Sequence, residues 1–288
     1  MHSDELDGRW SMLAVILATT CAVVYGTADF FGGLATRRSQ VFSVVTLSQL
    51  SGLAVILVLL PLLPGVFSDR ALLWGLGAGV AGAAGLMLFY RALATGVMSV
   101  VAPTTAVTSA GLPVMYGLAT GERPEPVALV GVVLALGSVL LVSQDRSAAK
   151  SGSIGSVLIA LAAGAGFGGF FILLALAPAD GGLWPLVGAR LSSVALVVAL
   201  AMATRRTLKP AGGSLHIIVA AGVLDMLANV LYLEAKQQGL LSLVAVLVSL
   251  YPASTLLLAR RVLGERLHAI QVAGVACALG AVALIAVA

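Results

Sequence analysis

Apolar residues run in long stretches along this chain, and polar residues gather in short clusters between them. A membrane-crossing helix needs about 20 mainly apolar residues. Ten stretches approach or exceed that length, at about 10–36, 41–63, 71–95, 99–120, 125–143, 153–177, 184–204, 214–238, 242–261 and 268–287. The breaks carry turn and charge signals, among them TRRSQ, LPGVFSDR, GERPEP and TRRTLKPAGGS. The least marked breaks fall at Gly96 and Gly239. No break exceeds roughly a dozen residues, so there is no room for a soluble catalytic domain, a nucleotide-binding domain or a ligand-binding ectodomain.

Composition agrees with lipid as the solvent. The 288 residues are 60% hydrophobic and only 10% charged, against about 25% charged in a soluble domain. Helices apolar all round belong in a bilayer, and strands of a membrane barrel would alternate polar with apolar. The 33 glycines include Gly75, Gly77, Gly79, Gly82 and Gly85 in one stretch, a face that lets helix backbones approach closely. Cys21 and Cys277 both lie inside apolar stretches and suggest neither a disulfide framework nor a metal site. The N-terminal MHSDELDGRW is acidic, so the first stretch reads as a retained helix and not as a cleaved signal. The basic residues come in twos and threes between stretches, which is no footprint for nucleic acid. No cofactor is expected.

The chain repeats itself. Gly121-Glu122-Arg123 returns as Gly264-Glu265-Arg266, an offset of 143 residues. The same offset maps Phe89 to Tyr232, Gly96 to Gly239, Ser99 to Ser242, Gly131 to Gly274 and Gly137 to Gly280. An offset of 140 maps Gly26 to Gly166 and Phe30-Phe31 to Phe170-Phe171. Two five-helix halves are expected, at 10–143 and 153–287, joined by a linker at 144–152. Because five is odd, the second half enters the membrane in the opposite sense. Inverted repeats of this kind build secondary transporters, with the substrate site near the midplane between the halves. The expected fold is therefore an all-α integral membrane protein of ten transmembrane helices, arranged as two inverted five-helix repeats around a central cavity.

The stretches LFYRALATGVMSVVAP…GER and LYLEAKQQGLLSLVAVLVSLYP…GER carry a resemblance over nearly the whole chain. They resemble the EamA-type transporters of the drug/metabolite transporter superfamily. That resemblance implies an exporter of metabolites in the cell (inner) membrane, first of amino acids, with lipophilic cations and other drugs in some members. The alternative is a carrier of nucleotide sugars or lipid-linked glycans, which a strongly basic cavity would favour. An intramembrane enzyme is the remote alternative: His2, His216 and His268 all sit at span ends, and no His-Glu-x-x-His or equivalent occurs. The partners expected are a small-molecule substrate and the lipid bilayer. A monomer suffices, and a dimer is compatible.

Positive charge sets orientation. Loops after odd-numbered spans hold Arg37, Arg38, Arg146, Lys150, Arg205, Arg206, Lys209, Arg260, Arg261 and Arg266; the other side holds Arg9, Arg70, Arg123 and Lys236. This bias places the odd loops in the cytoplasm and both termini outside. Many family members instead carry their basic loops after the second and sixth spans; here those loops hold only Arg70 and no basic residue, respectively.

Ionisable residues inside a span are costly and therefore functional candidates. Asp29, Arg91, Arg190, Asp225 and Glu234 are the five. Asp225 is central in span eight and shares a helical face with Asn229 and Tyr232. That face suits an amino or cationic group, or else is a buried carboxylate satisfied by a neighbouring helix. Asp29 shares a face with Tyr25 near the end of its span, where a water-facing or Arg-paired carboxylate is the plainer reading. Arg190 offers a bidentate partner for a carboxylate, or snorkels to the interface. Arg91 and Glu234 read as gate residues or interfacial anchors that do not pair with each other. Thr105 and Thr108 share a face of span four, open to substrate or bonded to the preceding turn. Gln49 is an amide in need of a partner. Tyr90, Phe170 and Tyr251 are candidates for an apolar cavity wall. Pro103, Pro113 and Pro252 are candidate helix bends, where freed carbonyls suit gating.

Overall fold

A computed structural model describes residues 12–288 except 64, 96–97, 143–153, 206–207 and 265–267, and omits the side chains of residues 90, 93–95, 98–100 and 102–103. The expected linker at 144–152, the residues Arg9, Arg146, Lys150, Arg206 and Arg266, and the side chains of Tyr90 and Pro103 lie outside the described residues.

The described residues form eleven α-helices. The first repeat holds α1 (Met12–Thr36), α2 (Val41–Leu59), α3 (Asp69–Thr95), α4 (Met98–Ala119) and α5 (Pro126–Val142). The second holds α6 (Ile154–Ala175), α7 (Trp184–Ala203), α8 (Leu215–Gln238), α9 (Leu241–Val248), α10 (Tyr251–Leu263) and α11 (Ala269–Ala286). Each boundary falls within a few residues of its apolar stretch, because only an uninterrupted helix satisfies the backbone where there is no water. The chain is a multi-pass membrane protein: among the described residues eight spans are long and apolar enough to cross a bilayer, and α5 is a shorter apolar helix.

Span nine is broken. Its first half, α9, is buried at every residue, and α10 is buried at none. The helix stops at Ser249 and Leu250 and resumes at Tyr251, with Pro252 in the first turn of α10. Proline has no N–H to offer the previous turn and is tolerated in a first turn. Its counterpart α4 runs unbroken through Pro103 and Pro113. The two prolines of α4 therefore do not interrupt their helix, whereas Pro252 sits at a discontinuity.

The repeats interlock. The α1–α8 contact has its equivalent in α3–α6, α2–α8 in α3–α7, and α4–α6 in the packing of α1 on α9 and α10. Helices α2 and α7 meet as counterparts, and so do α5 and α11. This is the contact pattern of a pseudo-twofold axis between two inverted halves. Nearly all large helix contacts join one repeat to the other, so neither half has a core of its own. Gly79 and Gly222, related by the 143-residue offset, sit at equivalent crossings. A Cβ on Gly79 would strike the Ala189 carbonyl of α7, and one on Gly222 the Ser48 carbonyl of α2. Glycine is what permits both crossings to be this close.

Basic residues predominate in the loops at one end of the bundle, and acidic and basic residues are mixed at the other. At one end, Ser39 and Ser214 share a hydrogen bond of 2.7 Å, the Ala211 N–H donates to Ser39 at 2.9 Å, and Ser43 donates to the Lys209 carbonyl at 3.0 Å. These contacts join the α1–α2 and α7–α8 loops, which carry Arg37, Arg38, Arg205 and Lys209. At the other end, the Val66 N–H donates to the Asp180 carbonyl at 2.8 Å, and Phe67 stacks edge-on against Trp184 at 4.7 Å. Asp69, Glu122, Glu125 and Asp180 all lie in loops or first turns of this second end.

The second end is also where Glu122 works. Its two carboxylate oxygens accept the backbone N–H groups of Leu241 at 2.7 Å and Ser242 at 2.9 Å. Helix α9 begins at Leu241 after Leu240, with no side-chain cap of its own. A glutamate from the other repeat thus supplies its N-cap, complementing the orphan donors and the positive end of the helix dipole.

Candidate functional site

Two of the five ionisable residues inside the spans, Arg190 and Asp225, meet between the repeats. Arg190, in the second turn of α7, donates through Nη1 to Gln49 Oε1 of α2 and through Nη2 to Asp225 Oδ2 of α8. Ser193, one turn along α7, donates to the same Gln49 oxygen at 3.3 Å. Asn229, one turn along α8, donates through Nδ2 to the Asp225 carbonyl at 2.8 Å and approaches Asp225 Oδ2 at 3.4 Å. Gln49, Asp225 and Asn229 lie in the middle parts of their helices, so the cluster is at mid-depth.

Local packing makes room for it. Gly52, one turn from Gln49, leaves the space where a Cβ would meet the Arg190 guanidinium at 3.3 Å. Arg190 is only 9% exposed. A buried guanidinium needs a counter-charge and hydrogen-bond acceptors, and Asp225 supplies the first and Gln49 one of the second. Asp225 is the looser partner, its side chain 38% exposed.

Gln49, Arg190, Ser193 and Asn229 line a cleft of about 50 Å³ together with Gly79, Gly82, Ala83, Phe170, Leu186 and Ala189. Its walls come from α2 and α3 of one repeat and α6, α7 and α8 of the other. Phe170 and the alanine and leucine side chains form its apolar part, and it has small room for solvent.

A chain of aromatic rings runs from Phe170 in the cleft lining toward α1 and α10. Phe170 packs edge-on against Phe171 at 5.4 Å, Phe171 against Tyr25 at 6.4 Å, and Tyr25 lies 6.4 Å from Tyr251. Tyr25 is within electrostatic range of both Asp225 and Arg190, and Asp29 within range of Asp225 and Tyr251. Asp29 itself keeps an exposed side chain on α1.

Other candidates lie apart from the cleft lining. Tyr232 is 0% exposed, and its hydroxyl donates to the Phe171 carbonyl at 2.8 Å, a contact that fixes α8 to α6. Thr105 donates to the Ala160 carbonyl of α6 at 3.1 Å, and Thr108 to the Thr104 carbonyl of its own helix at 2.8 Å. Pro113 is buried inside α4. Arg91 and Glu234 are both exposed. Sequence reasoning missed Ser193, although its one-turn spacing from Arg190 was a usable signal. It also missed the role of Glu122, whose recurrence at offset 143 marked the repeat but named no contact.

Two interlocked inverted repeats with a polar cleft between them at mid-depth are the architecture of a membrane transporter. Residues 12–144 and 154–287 each match the EamA-like transporter family, and the chain belongs to that family of drug/metabolite transporters. No curated protein matches the chain. Among solved structures 29 chains match. One of them, a crystal structure, is 18% identical, superimposes with a TM-score of 0.77, and the match covers 94% of this chain and 95% of that one. At that identity the likeness shows a shared fold.

Proposed function

We propose that the chain exports small metabolites by alternating access, with amino acids as the principal substrates and broad specificity among them. The observation that carries this reading is the Arg190–Asp225 pair at the edge of a cleft shared by both repeats, with Arg190 in the cleft lining. One cation and one anion at mid-depth, each with an amide beside it, complement a molecule that carries both charges. A polyanionic nucleotide sugar would need a basic cavity, and here one arginine faces Asp225 with Asp29 nearby. The cleft is formed within a single chain, which supports a working monomer.

The asymmetry of span nine agrees with the expected orientation. Half-helix α9 is fully buried beside one end of the bundle, whereas α10 has no buried residue and carries Arg260 and Arg261 in its last turn. Basic residues concentrate at the α10 end, which by the positive-inside rule is cytoplasmic. In this reading the protein lies in the cell (inner) membrane with its termini outside.

The test is solute counterflow in proteoliposomes with a panel of labelled amino acids, lipophilic cations and nucleotide sugars. Saturable, mutually competing flux of amino acids without ATP is the expected result. Flux of nucleotide sugars alone would overturn the substrate class.

A further inference from the structure

Asn229 carries an unused acceptor. Its Nδ2 must face the Asp225 carbonyl and carboxylate, because both are acceptors. This fixes Oδ1 on the opposite side, where it is buried without a partner although Asn229 lines the cleft. Asn229 is 3% exposed. A buried amide oxygen left unsatisfied is unfavourable and calls for a donor.

The cleft is also too small for its cargo as it stands. At about 50 Å³ it falls well short of the roughly 300 Å³ or more typical of small-molecule sites. The volume an amino acid needs lies next to groups already engaged with each other. The two members of the ion pair are unequally held. Arg190 is enclosed by Gln49 and Gly52 and buried, whereas Asp225 presents more than a third of its side chain to open space.

We infer that the Arg190–Asp225 ion pair is the resting occupant of the substrate site, and that a zwitterionic α-amino acid displaces it. This rests on the amino-acid reading above and specifies how the same site is used. Asp225 swings off the guanidinium. The substrate carboxylate takes its place on Arg190, beside the Gln49 amide. The substrate ammonium donates to Asp225 and to the free Asn229 Oδ1. No covalent bond changes. Every buried charge has a counter-charge before and after the exchange, which matters because a buried charge left alone is strongly unfavourable. A molecule with only an ammonium strands the buried Arg190, and one with only a carboxylate leaves Asp225 and Asn229 Oδ1 without the ammonium they would share. The ion pair therefore acts as a two-point filter for substrates carrying both groups.

The experiment is competition in proteoliposomes against labelled L-alanine, L-threonine and L-phenylalanine, using each amino acid, its N-acetyl derivative and its methyl ester as competitors. Both derivatives are expected to compete at least about ten-fold more weakly than the parent, as sites built to pair polar groups reject analogues that lack them. Asn229→Leu is expected to raise the KM for the amino acid by about ten-fold. It should also narrow the gap between parent and N-acetyl forms while leaving the methyl-ester gap in place. N-acetyl forms that compete as well as their parents would overturn the inference while leaving amino-acid transport standing. Full discrimination retained in Asn229→Leu would overturn it too. The wild-type comparison decides the matter even if that variant does not fold. Absence of saturable flux for all three amino acids would overturn the functional reading, and the inference with it.

Discussion

Replacing Glu122 by alanine removes the side-chain cap that Glu122 places on α9. Two backbone donors, Leu241 and Ser242, then lose their acceptors, and both residues are buried, at 3% and 0% exposure. A hydrogen bond to a charged group contributes about 1.5–3 kcal/mol, and a buried donor left unmade costs about 1–3 kcal/mol. Some water reaches Glu122, which is half-buried, so we take about 3 kcal/mol for the pair of bonds together. For a chain of this size that corresponds to a fall in Tm on the order of 5–10 °C. Glu122→Gln keeps one good acceptor and loses the charge, so its loss should be about half as large. Glu125→Ala, three residues away and exposed, is the control, with an expected change within about 0.5 kcal/mol. Thermal unfolding of the three variants in detergent measures the series. If Glu122→Ala melts with the Glu125→Ala control, the carboxylate does not hold α9, and that helix is held by packing alone.

Three further outcomes follow from the packing. Gly222→Ala places a Cβ against the Ser48 carbonyl and should destabilise by about 1–3 kcal/mol, whereas Gly111→Ala, with nothing near its Cβ, should be neutral or stabilising; comparative Tm values distinguish them. Asp225→Asn strands a buried guanidinium and should destabilise more than Arg190→Met, which leaves a carboxylate that water already reaches; pairing the two substitutions should recover part of the loss, as read from a thermal double-mutant cycle. Phe170→Ala opens the apolar wall beside Gly82, where the ring lies 3.1 Å from a notional Cβ, and should shift transport preference toward amino acids with larger side chains, as read from KM ratios across the panel.

Much of the fold is legible in the chain because lipid imposes a simple rule. Backbone polar groups must be satisfied inside each segment, so apolar length reports helix length, and α1, α2 and α8 begin and end close to their stretches. The recurrence of glycines at offset 143 also has a physical origin: Gly79 and Gly222 occupy equivalent helix crossings. The site was less legible. Asp225, Asn229 and Arg190 were visible as costly residues, but their convergence with Gln49 depends on three helices meeting across the pseudo-twofold axis. Periodicity within one helix contains no such distance. Arg190 read equally well as a snorkelling side chain, and only the position of Gly52 and Gln49 on α2 shows it turned inward. Span nine was read as one helix because its composition is continuous through Ser249. Pro252 was the available signal of a break, but Pro103 and Pro113 gave the same signal in a helix that remains whole.

The central claim is that substrate binds where Arg190 and Asp225 meet between the repeats. The most direct measurement is amino-acid counterflow by the purified protein in liposomes, with Asp225→Asn and Arg190→Lys beside wild type, each first shown to be folded by its melting curve. The expected result is saturable, competing flux in wild type and at least a ten-fold loss of kcat/KM in both folded variants, about 1.4 kcal/mol or more of lost interaction. Wild-type kcat/KM in both variants would contradict the claim and place the substrate elsewhere in the bundle.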